Sequence, residues 1–272
     1  MEATGYYHYQ LAYFMLENNR LVSVANPLSV KRFIQMSLSK IKTDKSDAKM
    51  ICEYGIKVEQ EWWRGHSKSQ QECLQLIRLV ETYQKQMTMI KNKLHGEKVL
   101  SRPSNEVFKC LNQTLKHLKK QIDKLETKIS ALVQSDYQKE LTLLESIPGL
   151  GRKTSVFLLV ITDGFSRFER GSQLCSFAGI TPVIRTSGSS VRGRERISKI
   201  GNSKLRNLLF LCSFNACKYN RACKALYERI VAKGKSKKLA LLAVCNKLLK
   251  QAFSIVKIGL PYDDNFMSVK PN

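Results

Sequence analysis

The stretch Ile147-Pro148-Gly149-Leu150-Gly151-Arg152-Lys153-Thr154, continued by an apolar run to Ile161, decides how this chain is read. It predicts a tight turn that opens a helix over residues 152–161. Two glycines in the turn are free to take positive φ and let backbone amides approach a phosphate, and the helix behind them offers the positive end of its dipole. Arg152 and Lys153 stand beside that end. The pattern fits the hairpin of a helix-hairpin-helix, with Gly149, Gly151, Arg152 and Lys153 as nucleic-acid contacts. The plainer alternative is an ordinary joint between packed helices, where glycine-rich turns are common.

Further along comes Thr186-Ser187-Gly188-Ser189-Ser190-Val191-Arg192-Gly193-Arg194-Glu195-Arg196-Ile197-Ser198-Lys199-Ile200-Gly201-Asn202. It predicts a flexible loop with several hydroxyls within reach of several guanidiniums. Such a loop can hold a nucleophilic serine while Arg192, Arg194, Arg196 and Lys199 neutralise charge on a phosphoryl group in transfer. It can also be a basic loop that only touches phosphates.

The charge balance narrows the partner. Against 22 Asp+Glu stand 46 Lys+Arg, a net charge of +24, which exceeds what solubility needs and has the sign that attracts polyphosphate. The excess is concentrated late, through Arg185, Arg192, Arg194, Arg196, Lys199, Lys204 and Arg206, then Lys218, Arg221, Lys224, Arg229, Lys233, Lys235, Lys237 and Lys238. Eight cysteines are scattered without a C-x-x-C pair and away from the four histidines, which argues against structural zinc and fits a reducing cytoplasm. The apolar run ending at Ile161 is too short to span a membrane.

Patterning divides the chain into residues 1–66, 67–140 and 141–272. In the first part, residues 7–16 and 28–36 read as helices, and Leu21-Val22-Ser23-Val24-Ala25 reads as a short buried strand. One strand makes no sheet, so this part reads as a partial α/β domain. In the second, Leu76, Val80, Tyr83, Met87, Ile90 and Leu94 alternate four and three apart. After a break over residues 95–105, so do Leu111, Leu115, Leu118, Ile122, Leu125, Ile129 and Leu132. That predicts an antiparallel coiled-coil hairpin, closed within one chain or against a second copy in a homo-oligomer. The third part reads as all-helical with short joints, and the whole chain as mainly α.

Asp44 and Asp47, three apart, share a face if helical and could hold a hard cation; alone, such a pair is more often a solvated face. Glu2, just before Gly5, adds a third carboxylate. Converging beside residues 21–25, the three would bind Mg2+ and act on oxygens at a scissile phosphate.

Taken together these segments resemble the DEDD insertion-sequence transposases related to the Piv DNA invertase. Glu2-Ala3-Thr4-Gly5-Tyr6 is similar to that family's glutamate segment, and Lys42-Thr43-Asp44-Lys45-Ser46-Asp47-Ala48 to its paired-aspartate segment. Ile147-Pro148-Gly149-Leu150-Gly151, then Phe177-Ala178-Gly179-Ile180-Thr181-Pro182, then the run from Ser187-Gly188 through Arg196-Ile197-Ser198-Lys199-Ile200-Gly201-Asn202 follow in the family's order. The resemblance implies an N-terminal unit of RuvC-like, RNase H type fold with Glu2, Asp44 and Asp47 as metal ligands. It also implies a serine that attacks DNA. Ser187, directly before the glycine, takes that place, with Ser189 and Ser190 as rivals. DNA is the implied partner, and some members use a structured guide RNA. The family's first aspartate lies on a strand ahead of the glutamate, and here the sequence begins at the residue before that glutamate. The expectation is therefore an N-terminally truncated copy, either a recombinase or a remnant that only binds nucleic acid.

Overall fold

The computed structural model describes residues 1–37, 43–100, 102–183, 186–187, 191–192 and 196–265, with only the backbone at 186–187 and 191–192. Among the described residues the protein is mainly helical, with very little strand. It divides into two compact units, Met1–Lys68 and Ser69–Asn272.

The first unit carries three helices, α1 (Tyr7–Glu17), α2 (Pro27–Met36) and α3 (Asp44–Lys57). Residues 21–25, expected as a short buried strand, form only a single parallel bridge, between Ala25 and Glu2, and Val22 is the one of them that is buried. The Ala25 amide donates to the Met1 carbonyl at 2.8 Å and the Ala3 amide to the Ala25 carbonyl at 3.0 Å. The Trp63 amide donates to the Val22 carbonyl at 2.7 Å. Sequence signals set the helix starts. Asn26 caps α2 through its side chain and Pro27 occupies the first helical position, where a missing amide costs nothing. Thr43 and Ser46 form a reciprocal capping box at the head of α3, satisfying two otherwise unpaired amides. Tyr9, Tyr13, Trp63 and His66 meet edge-on or stacked.

The second unit opens with two 32-residue helices, α4 (Lys68–Val99) and α5 (Asn105–Asp136), each about 48 Å long at 1.5 Å per residue. Glu72 near the start of α4 pairs with Lys128 near the end of α5, so the two run antiparallel. All thirteen heptad positions are buried or half-buried. The expected break is shorter than the sequence suggests, because Gly96 is accommodated inside α4, which continues to Val99. Then follow α6 (Gln138–Glu145), α7 (Arg152–Thr162) and α8 (Gly171–Ala178). Four two-residue strands come next, β1 (Pro182–Val183), β2 (Thr186–Ser187), β3 (Val191–Arg192) and β4 (Arg196–Ile197). The chain closes with α9 (Ser203–Tyr219), α10 (Arg221–Ala232) and α11 (Lys237–Ile258).

The 22-residue α11, with mean hydropathy 1.5, is long and apolar enough to cross a bilayer, unlike the shorter run that ends at Ile161. Its Leu241, Val244, Cys245, Leu248, Leu249, Ala252 and Phe253 are buried, most of them in one core cluster with residues of α6 to α10. Burial also sets the thiols: desolvation pushes both Cys223 and Cys245 up to about 12. These groups behave as neutral core residues.

Candidate functional site

The Pro148-Gly149-Leu150-Gly151 turn is a helix–turn–helix joint between α6 and α7. Only one of its two glycines uses the left-handed region: Gly149 has φ +95°, while Gly151 is the extended N-cap of α7 at φ −78°. The demand on Gly149 comes from packing as well. A Cβ there would lie 2.6 Å from the backbone N and Cα of Ala216, so the turn is pressed against the α9 backbone. Gly151, Arg152 and Lys153 are exposed at the head of α7, and no side chain caps that end.

Both cations beside it are already engaged. Arg152 Nη1 donates to Glu145 Oε1 at 2.8 Å, and its Nη2 to Gln134 Oε1 at 2.9 Å. Lys153 pairs with Glu126 on α5. Lys204, at the start of α9, lies 3.3 Å from Glu81 of α4 and over the Phe157 ring at 5.4 Å from its centroid. Nothing in the local sequence marked Glu81 or Glu126, since each meets its cation only through tertiary packing.

In the serine segment, expected as a flexible loop, the described residues include short strand pairs. β1 pairs antiparallel with β4, and β2 with β3, in nested register. Thr186 faces Arg192 and Ser187 faces Val191. Ser189, Ser190 and Arg194 lie outside the described residues. The base of this double hairpin is clamped between the end of α8 and the start of α9. The Ser198 amide donates to Thr181 O at 3.0 Å, Lys199 to Gly179 O at 3.1 Å, and Asn202 to Phe177 O at 2.8 Å. Arg206 Nη1 donates to Ala178 O at 2.9 Å. Gly201, at φ +138°, sits so close that a Cβ would run into the Phe177 carbonyl. The two glycine-bearing motifs around 179 and 201 are thus one structural knot, which fixes where the strand pairs leave the helices. Arg196 and Lys199 are exposed beside it. Neither forms an ion pair among the described residues.

The late basic run differs from Arg152, Lys153 and Lys204. Arg221, Lys224, Arg229, Lys233, Lys235, Lys237 and Lys238 are all exposed, as is Lys218, and among the described residues none is in an ion pair. Such cations retain their full reach for an external polyanion.

In the first unit, Glu2 is held by the bridge to Ala25, and Asp44 and Asp47 occupy the first turn of α3. Their expected convergence is not seen. Among the described residues no three His, Cys, Asp or Glu side chains stand together as a metal-binding group. A backbone bridge fixes Glu2, while the two aspartates follow the start of a separate helix.

Comparison with known proteins places these features in order. Residues 141–228, from α6 into α10, match the family described as Transposase IS116/IS110/IS902, and residues 1–102 match a DEDD transposase family of the IS110 type. The chain carries IS110/IS116 family transposase domains. It is 29% identical over 267 residues to the pilin gene-inverting protein of Moraxella lacunata, covering 97% of this chain and 81% of that protein. Over 157 residues it is 30% identical to the insertion element IS110 uncharacterized 43.6 kDa protein of Streptomyces coelicolor, 58% of this chain and 38% of that one. It is 24% identical over 211 residues to the transposase for insertion sequence element IS1111A of Coxiella burnetii, 68% and 56%. The α6–α7 turn, the α8–α9 knot and the serine strands all fall inside one family match.

Proposed function

We propose that this transposase recombines DNA by serine attack on a backbone phosphate, with Ser187 as nucleophile. Its transposase domains and its likeness to the pilin gene-inverting protein support a role in transposition and DNA recombination. The observation that supports the finer reading is the α8–α9 knot: close packing at Gly179 and Gly201 and the bond from Arg206 tie together the two ends of the segment that carries Ser187. A nucleophile needs positioning to within a fraction of an ångström, which a freely moving loop does not give. In the reaction the Ser187 Oγ bonds to phosphorus and a phosphodiester P–O bond breaks. The serine proton passes to the DNA oxygen that leaves. Arg192, Arg194, Arg196 and Lys199 lie in the same segment and supply positive charge to the phosphoryl oxygens. Gly149, Gly151, Arg152 and Lys153 serve as a helix-hairpin-helix contact to the backbone, and the exposed lysines of α10 and α11 add sequence-independent grip.

Four finer points belong to the same proposal. Residues 1–66 are the counterpart of a RuvC-like domain, and the α4–α5 hairpin is a coiled coil that joins subunits of a homo-oligomer on DNA. Glu2, Asp44 and Asp47 bind Mg2+, a reading that rests on their motif match. Its own check is a rise in the melting temperature of the first unit on adding Mg2+, lost in Asp47→Asn. A structured guide RNA selects the site, so ribonuclease treatment of the purified complex abolishes recombination. In the cell the protein acts in the cytoplasm, on nucleoid DNA.

The test is a plasmid carrying the gene with its flanking DNA, scored for rejoined products. Ser187→Ala is expected to abolish them, while Ser189→Ala and Ser190→Ala retain them. Products made by the Ser187→Ala protein would overturn the assignment. The absence of a gathered carboxylate set among the described residues favours a second reading, a protein that binds nucleic acid without cutting it. That reading predicts salt-sensitive binding, unchanged by Mg2+, and no joined product from the unmodified protein.

A further inference from the structure

Between α4, α5, α7 and α9 lies a cavity of about 230 Å3. Ile77 and Val80 from α4, Ile129 from α5 and Val156 and Phe157 from α7 wall it, each at most 9% exposed. Leu208 of α9 completes the apolar lining. Arg152, Lys153 and Lys204 line it as well, and their partly exposed side chains form its rim. Each of the three is tied to a carboxylate, Glu145, Glu126 and Glu81 respectively.

The space is smaller than a drug-sized site. An apolar slot with a cationic collar has the chemistry to receive a flat, weakly polar ring attached to an anion. The geometry points to a nucleotide subsite, in which an unstacked base enters the slot and its phosphate displaces the carboxylates from Arg152 and Lys153 at the head of α7. This rests on the nucleic-acid reading above and names the part of the ligand that this face holds.

Three observations support that occupant. The collar carries cations and their carboxylate partners, so the cations complement a phosphate once those partners yield, in keeping with a chain of net charge +24. The amides at the start of α7 have no side-chain cap, and a phosphate there is favoured by the helix dipole. The rim ion pairs are half in solvent, where such pairs contribute little, so exchanging a carboxylate for a phosphate that Arg152 can grip in bidentate fashion is an easy trade. Glu126 and Glu145 then act as place-holders that weak anions cannot displace and polyphosphate can.

The experiment uses the full chain and a single-stranded oligonucleotide of alternating thymine and 2-aminopurine, whose fluorescence rises when the base leaves its stack. Binding is expected to brighten the probe. Val80→Phe fills the slot without changing charge and should abolish the brightening while affinity stays within about twofold. Ile129→Phe fills it from the opposite helix and serves if the first variant melts early. Glu126→Gln removes the competitor on Lys153 and should tighten binding by about two- to fivefold, the range of an exposed ion pair. Brightening that persists in both filled variants, or an affinity in Glu126→Gln that is unchanged or weaker, overturns the subsite and leaves the function reading standing. A wild-type protein that does not bind the oligonucleotide at all overturns both.

Discussion

In residues 1–68 the buried apolar side chains among the described residues are Ala12, Val22 and Val30, whereas residues 69–272 bury a continuous cluster that includes Leu141, Leu144, Leu158, Leu205 and Leu248. The first unit turns large apolar groups outward, with Tyr7 90%, Leu21 73% and Phe14 60% exposed. Its order comes from a parallel backbone bridge, two capped helices and aromatic edges. Local hydrogen bonds and caps each contribute only about 1 kcal/mol, while a buried leucine contributes about 2 kcal/mol or more. The two kinds of chemistry thus rest on different supports. The segment that carries Ser187 is anchored in the well-packed unit. The carboxylates sit in the thinly packed one, where small shifts cost little.

The sharpest contrast is expected in alkali. The Cys223 and Cys245 thiols titrate near 12 in the fold because burial disfavours the thiolate, against 9.0 in the unfolded chain. Below pH 9 both states keep the proton and the stabilisation is fully present. Above it the unfolded chain releases protons that the fold retains, so stability falls between pH 9 and about 12. Thermal melts at pH 8.5 and 10.5 should show this loss in the second unit, and Cys245→Ala should flatten the slope. A slope unchanged in Cys245→Ala would remove that residue from the explanation.

Gly201→Ala comes next. It forces a side chain into left-handed backbone and against the Phe177 carbonyl, at a cost of about 3 kcal/mol from strain and overpacking combined. Urea unfolding followed through the second unit measures it. If Gly201→Ala unfolds like the parent, the knot does not anchor the serine strands. Thr43→Ala should cost about 1 kcal/mol, because it removes the side-chain cap on Ser46 N. Its effect should be confined to amide exchange in the first unit, and spread into α7, α9 or α11 would show the units to be more tightly coupled than their separate cores imply. The smallest effect is a gain. Gly55 lies within α3, and a Cβ added there would meet nothing within 4 Å, so Gly55→Ala should stabilise that unit by about 0.5–1 kcal/mol. Melting of the first unit checks it, and a loss of stability would mean that α3 is not continuous through residue 55.

Much of this architecture was legible from residue order. The helix from Arg152, the helix over residues 28–36 and the two long heptad helices follow from apolar periodicity, which acts over a few residues. The strand pairs around Ser187 were not legible, because two-residue strands are too short for an alternation to register. The ties of Lys153 to Glu126 and Lys204 to Glu81 join residues 27 and 123 positions apart in the chain, and no local rule reaches that far. For the same reason the cavity behind them was invisible in the sequence. Glu2, Asp44 and Asp47 were legible as a motif, yet the motif does not fix the distances between them.

The measurement that bears most directly on the proposed reaction is mass-spectrometric mapping of a denaturant-resistant protein–DNA adduct, formed by the full chain on DNA from its own flanking sequence. A nucleotide phosphate linked to Ser187, and absent from the Ser187→Ala protein, is the result expected. A link to Ser189 or Ser190, or strand joining with no covalent intermediate, would contradict it.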